Sequence, residues 1–294
     1  MEYISLNNGV KMPILGYGVY QVTKEKCERC VLDALKVGYR AIDTAQSYFN
    51  EEEVGNAIQK SGIPREEIFL TTKVWVEHYG YEEAKKSVLE SMKKLKTDYL
   101  DLVLLHQPFS DAYGAYHALE DLYDEGKIRA IGASNVTEDI IKGYCSLGQL
   151  DVIQEKYSIL DSHIRSELAQ VCEENKVSIQ AYSPLEQGLL TGKVKADVKL
   201  AKGDVRNRNR FFSPENLPKV MRLLEHWKPL CLKYNCTMSN LVIACTAKTI
   251  DGLHVLCGAR KPEQIRDNSG ALLLTLEQSD IDRMLEDVKN EGLS

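Results

Sequence analysis

Three residues with ionisable side chains each close a short apolar run. Asp43 follows Ala41-Ile42, Lys73 follows Phe69-Leu70-Thr71-Thr72, and His106 follows Leu102-Val103-Leu104-Leu105. Tyr48 lies five residues past Asp43, ahead of a helical stretch that opens near Glu51. A carboxylate, an ammonium, an imidazole and a phenol are groups that give, take or tune a proton when a fold gathers them. Singly, each has an ordinary explanation, since a strand-end Lys or His is often solvated and an Asp often caps a helix. Three on successive strands call for a functional one.

The elements that would position them form a rhythm. Ile14–Tyr17, Ala41–Asp43, Ile68–Thr72, Leu100–Leu105, Ile128–Ala133, Val152–Gln154, Val177–Ala181 and Leu253–Cys257 are short apolar or β-branched runs, separated by longer stretches of helical period. In Glu82–Leu95 the apolar residues Ala84, Val88, Leu89, Met92 and Leu95 make one buried stripe. Eight alternating β and α units imply parallel strands with right-handed crossovers closing into a (β/α)8 barrel, where functional residues gather at the carboxyl ends of the strands. Asn7-Asn8-Gly9 between Tyr3–Leu6 and Val10–Met12 predicts a hairpin over the barrel floor. The polar stretch Lys193–Pro214 breaks the rhythm. Extra helices are expected at Pro214–Tyr234, Met238–Thr249 and Leu276–Val288, and residues 1–294 are read as a single domain.

Composition narrows the partners. The 294 residues hold 37 Lys and Arg against 43 Asp and Glu, a formal charge of −6, with 44% hydrophobic residues. This mild acidity argues against a nucleic-acid or anionic-membrane binder. No apolar run approaches the ~20 residues that span a bilayer, and Met1–Ser5 lacks a signal-peptide layout, so a cytoplasmic protein is expected. The eight cysteines are scattered and read as free thiols.

Several motifs fail. Gly16-Tyr17-Gly18 is followed by Gln21 where a Rossmann fingerprint needs a third Gly, and no acidic residue stands near 36–41 to hold a ribose. Walker, H-E-x-x-H and G-x-S-x-G motifs are missing from the sequence. Cys27 and Cys30 share a helical stripe with Val31, Ala34 and Leu35, so they read as one buried face, and no metal site is expected.

The segment Asp43-Thr44-Ala45-Gln46-Ser47-Tyr48-Phe49-Asn50-Glu51, Lys73 in Thr72-Lys73-Val74-Trp75 and His106 in Leu105-His106-Gln107-Pro108 resemble the catalytic tetrad of the aldo-keto reductase family. The likeness continues through Gly132-Ala133-Ser134-Asn135, Tyr182-Ser183-Pro184-Leu185 and Gly258-Ala259-Arg260 with Gln264 and Asn268. It implies the barrel, and reversible reduction of an aldehyde or ketone by a nicotinamide cofactor. Such a reaction needs a proton delivered to an oxygen that is gaining negative charge. Tyr48 is the expected donor. Lys73 is expected to lower its pKa from the usual ~10, Asp43 to keep the lysine charged, and neutral His106 to orient the substrate oxygen.

The resemblance also implies a cofactor set. Tyr182 lies against the nicotinamide, Ser134, Asn135 and Gln154 bind its carboxamide, and Val19, Tyr20 and Asp43 complete that end. Ser183, Pro184, Leu185 and Gly188 form a diphosphate loop, with the Glu186 side chain expected to turn outward. In place of the Lys-Ser and Arg of the better-known branch, the chain has Gly258-Ala259 and Gln264, and here it is similar to the branch of potassium-channel beta subunits and bacterial reductases. Gly258, Arg260, Gln264 and Asn268 then hold the adenosine end, and Lys193 is a further cofactor-binding residue pointing toward the diphosphate. Arg260 and Lys261 suit a 2′-phosphate, so NADP(H) is favoured over NAD(H). For Arg206–Arg210 two readings stand, a lid over the diphosphate and a solvated loop.

Tyr20, Tyr48, Trp75, His106 and Phe109 are expected to line the substrate pocket, which the short stretch after Val288 leaves open to varied small carbonyl compounds. No obligatory protein partner is evident. The alternatives to a reductase are a cofactor-binding regulatory subunit built on the same barrel and a Schiff-base lyase using Lys73. Asp43 disfavours the second by keeping that lysine protonated.

Overall fold

A computed structural model describes residues 2–107, 112–161 and 164–293. Strands β1 (Tyr3–Ser5) and β2 (Lys11–Pro13) pair antiparallel as the expected hairpin. Eight parallel strands follow in one closed ring: β3 (Leu15–Gly18), β4 (Ala41–Asp43), β5 (Phe69–Val74), β6 (Leu102–Leu105), β7 (Ile131–Ser134), β8 (Val152–Lys156), β9 (Ser178–Tyr182) and β10 (Leu253–Gly258), the last pairing back onto β3.

Helices α1 (Lys24–Lys36), α2 (Glu51–Ser61), α3 (Tyr81–Leu95), α4 (Ala112–Asp124), α5 (Glu138–Leu147) and α6 (Ala169–Asn175) lie between successive strands from β3 to β9. Two helices, α7 (Leu217–Lys233) and α8 (Met238–Thr246), separate β9 from β10, and α9 (Pro262–Ser269) and α10 (Gln278–Asn290) follow. The buried face of α1 is Cys27, Cys30, Val31, Ala34 and Leu35, the stripe read from the sequence.

Alternation along the strands divides the barrel into two surfaces. Ile42, Leu70, Val103, Ile131, Ile153 and Val255 face the helices in the main core. Inside, Ala41, Phe69, Leu102, Ala130 and Val152 form an apolar floor, closed by Leu6 and Met12 of the hairpin. The hairpin is fastened there by Asn7 to the Leu150 carbonyl and Asn8 to that of Arg129. Two to four residues higher on the strands the interior turns polar, with Asp43, Lys73, Gln154 and Gln180 all buried.

Boundaries of the added helices move, and several strand ends shift by one to three residues. Helix α7 starts at Leu217 rather than Pro214, because residues 205–212 coil into two 3₁₀ turns capped by the side chains of Asp204 and Asn209. Helix α8 stops at Thr246, short of Thr249, and α10 covers Gln278–Asn290 in place of Leu276–Val288. The segment is anchored by Phe211, buried in a second core with Leu189, Leu190, Trp227 and Met284 under the added helices.

Candidate active site

Strand register brings the ionisable residues to one end of the barrel. Asp43 pairs in register with Gly18 and Thr71, and Lys73 with Leu104. Lys73 Nζ lies 2.5 Å from Asp43 Oδ1, 2.9 Å from the Thr44 carbonyl and 3.4 Å from the Tyr48 hydroxyl. These three contacts use the three N–H directions of an ammonium, leaving no lone pair for attack on a carbonyl carbon. Tyr48 ends a 3₁₀ turn, Gln46–Tyr48, that the left-handed Phe49 closes.

Two residues that the sequence reading quoted but left without a role hold this turn. Gln46 accepts the Trp75 N–H and donates to Ser87 and Ser91. Asn50 accepts from Thr44 Oγ1 and donates to the carbonyls of Val19 and Val22. Both belong to the short interval between β4 and α2, and their partners lie too far along the chain for spacing to disclose.

His106 sits edge-on to Tyr48 and to Trp75, with ring centroids 5.7 and 5.1 Å apart, and its Nδ1 is 3.4 Å from Ser47 Oγ. Tyr20, largely exposed, leans on Tyr48 at 5.2 Å. Phe109 lies outside the described residues.

Burial governs the titration of these groups. It pushes the His106 imidazole down to about 3, helped by the charge of Lys73, so the ring is neutral at ordinary pH. It pulls Lys73 below its usual value while Asp43 pushes back. Tyr48 is corrected against the sequence expectation. Its hydroxyl is held well above 10, by burial first and then by Asp43 and Tyr20, because the carboxylate against Lys73 cancels much of the field that would lower it.

Opposite the tetrad, β7, β8 and β9 supply amides and hydroxyls. Ser134 Oγ donates to the Gln154 carbonyl. Asn135, left-handed at φ 59°, donates to the His106 carbonyl and to Ser134 Oγ, and its Oδ1 accepts from the Tyr182 hydroxyl. The amide nitrogen of Gln154 reaches across the barrel to Asp43 Oδ2 at 2.9 Å and also donates to Gln180, whose part the sequence did not disclose. Neither Ser134 nor Asn135 caps α5; Thr137 holds that position.

Farther along the rim, Ser183, Glu186, Gln187 and Gly188 all take positive φ. At Gly188 nothing stands within 4 Å of where a Cβ would be, so its backbone is open to a ligand. Pro184 is buried and Leu185 packs against both cores. Glu186 departs from expectation. Its side chain is fully buried rather than outward, accepting from Ser158, Lys156 and Asn209, because three donors from two separate segments converge where the loop turns in.

At the far end, Gly258 and Gln264 are exposed and Asn268 is buried on α9. Arg260 donates to Gln21, while its amide donates to the Gln264 side chain. Lys193 pairs with Asp267 at 3.0 Å. Within the arginine segment, Arg206 is clasped by Asp204, Arg208 is exposed, and Arg210 donates to the Leu293 carbonyl. No group of His, Cys, Asp and Glu that would hold a metal occurs among the described residues.

A closed parallel barrel with an Asp–Lys pair against a tyrosine and a neutral histidine at its C-terminal rim defines a class of barrel oxidoreductases. The sequence model of the Aldo/keto reductase family matches residues 14–288, and the chain belongs to that family. It is 38% identical over 289 residues to the NADH-specific methylglyoxal reductase of Escherichia coli, covering 90% of this chain and 87% of that protein. Against the glyoxal reductase of Bacillus subtilis identity is 41% over 191 residues, 64% of this chain and 69% of that one. Among solved structures, an aldo/keto reductase from Brucella melitensis superposes with a TM-score of 0.79 at 30% identity, over 97% of this chain and 99% of the other. The chain is accordingly a carbonyl-reducing oxidoreductase that works with a nicotinamide cofactor on small molecules.

Proposed function

We propose that residues 1–294 act as one barrel unit reducing small reactive aldehydes and ketones, with α-dicarbonyls such as methylglyoxal and glyoxal foremost. The observation that carries this reading is Lys73, fixed between Asp43 and the Tyr48 hydroxyl, with a neutral His106 beside them. The described pocket side chains Tyr20, Tyr48, Trp75 and His106 are aromatic, suiting a compact substrate.

A bound nicotinamide supplies the hydride. Tyr48 gives its proton to the substrate oxygen, Lys73 stabilises the phenolate as it forms, and His106 donates an N–H to the same oxygen and orients it. Ser134, Asn135 and Tyr182 would hold the nicotinamide, the bare backbone near Gly188 the diphosphate, and Gly258, Arg260, Gln264 and Asn268 the adenosine end.

For the choice of cofactor, the paired charges support NADH in place of the NADP(H) favoured from the sequence. Asp204 lies within electrostatic reach of Arg260, and Asp267 holds Lys193, so nearby carboxylates offset the cations a 2′-phosphate would use. The name of the E. coli relative supports the same choice. The eight free thiols support a reducing, cytoplasmic setting.

Tyr48→Phe tests the reading. Turnover of methylglyoxal should fall ~10²–10⁴-fold while NADH still binds, and retained turnover would overturn it. Dissociation constants for NADH and NADPH, read by fluorescence, test the cofactor, and a lower value for NADPH would restore the sequence expectation.

A further inference from the structure

One residue of β8 breaks the strand's pattern. Val152 and Gln154 point into the barrel and Ile153 packs against the helices, so Glu155 takes the helix-facing side, where its partner in register is Ala181. A carboxylate thus stands in an apolar stripe, 6% exposed. Burying it is costly unless it is hydrogen-bonded. Its Oε1 accepts the Val136 N–H at 2.6 Å, while the neighbouring Asn135 N–H is held by the Gln154 carbonyl at 3.1 Å.

The Val136 amide belongs to the turn leaving β7, where Asn135 is left-handed. L-residues hold that conformation at some cost, so a partner that fixes it matters. Asn135 in turn contacts Ser134, Tyr182 and the His106 carbonyl, so the carboxylate braces the turn from behind while the site uses its front. Behind Glu155 a cavity of about 640 Å³ opens between α5 and α6.

The geometry points to Glu155 as a positioning residue for the cofactor: its carboxylate holds the 134–136 turn in the form that presents Ser134 and Asn135, and taking up a proton from the outer cavity loosens that turn. This rests on the reading that the turn binds a nicotinamide. The charged groups that share the cavity with Glu155 are mostly acidic. On α5 they are Glu138, Asp139 and Lys142, with Lys142 held by Glu138 at 2.5 Å; Glu167 and Glu174 line the cavity from the other side. Cys172 of α6 and Tyr182 of β9 complete the surroundings. Burial raises the Glu155 carboxyl to about 7, and its backbone donor only partly offsets it. Above that pH the Val136 amide meets a carboxylate; below it the charge-assisted bond becomes a weaker one to a neutral acid.

NADH titration by fluorescence, from about pH 6 to about pH 8, tests the proposal. In the unaltered protein the dissociation constant should rise roughly ten-fold toward the acid end, along a one-proton curve. Glu155→Gln keeps an acceptor and cannot titrate, so its curve should be flat, whereas Glu155→Asp should restore a step. Thermal melts confirm that each variant is folded. A step that survives in folded Glu155→Gln overturns the proposal alone, and so does a flat curve in the unaltered protein. No NADH binding in the unaltered protein at any pH overturns this proposal together with the nicotinamide reading.

Discussion

Asp43 is the residue on which the charge of Lys73 depends. Removing one member of a buried pair leaves the other uncompensated, a loss of ~3–5 kcal/mol. Asp43→Asn should therefore lower the stability measured by urea unfolding by about 3 kcal/mol. It should also change the pH profile: with burial unopposed, Lys73 loses its proton at lower pH, so the variant's rate falls as pH rises through neutrality. The unaltered enzyme at saturating NADH should show no limb near pH 6.5, because neutral His106 does not titrate there. A limb at that pH abolished by His106→Asn would contradict the assignment. At this scale the sequence disclosed what lies at strand ends. Asp43, Lys73 and His106 were legible because each interrupts an apolar run. Glu155, Glu186 and Gln180 were not, because their partners, Val136, Ser158 with Asn209, and Gln154, are brought to them only by the closed barrel.

Among the elements, the 183–214 region carries the most unexpected feature. Glu186 gathers Ser158 and Lys156 from the end of β8 and the loop beyond it, and Asn209 from the arginine segment, so one buried carboxylate fastens the 183–188 loop to the stretch that follows. Glu186→Ala leaves these donors without their acceptor and should cost about 2 kcal/mol, read as a lower unfolding midpoint. NADH should also dissociate faster in stopped flow; an unchanged off-rate would mean that the fastening does not reach the cofactor. Arg206 and Arg210 are engaged with Asp204 and Leu293, while Arg208 and Arg210 are both exposed. Strands were legible as short apolar runs and helices through a period of 3.6. This region was not, since its 3₁₀ turns are set by side-chain caps from Asp204 and Asn209, which leave no periodic trace.

Across the whole molecule, buried titratable groups oppose one another. His106 and His254 are pushed down to about 3 and 4, so the unfolded chain binds more protons than the folded one below about pH 6.5, and these two lower stability on acidification. Asp151 and Glu155 are raised to about 6 and 7, so the folded chain binds more protons there, and these two increase stability on acidification. The pairs offset between about pH 7 and 5, and the histidines prevail below. Asp151→Asn removes one opposing group, so between about pH 6 and 4.5 its stability should fall by ~1.4 kcal/mol per unit of acidification beyond the parent's slope. Chemical denaturation at several pH values measures this, and parallel curves would refute it. The eightfold ring itself followed from counting strand–helix units. The strut inside it did not, since Gln154 and Asp43 are four places apart round the ring, at opposite ends of a diameter. That strut fixes a traffic rule. With the axis closed beneath Lys73 by Gln154, Gln180 and the apolar floor, a Tyr48 acting as the proposed proton donor would be recharged through the mouth by which the alcohol departs, so that its recharging would wait on product exit.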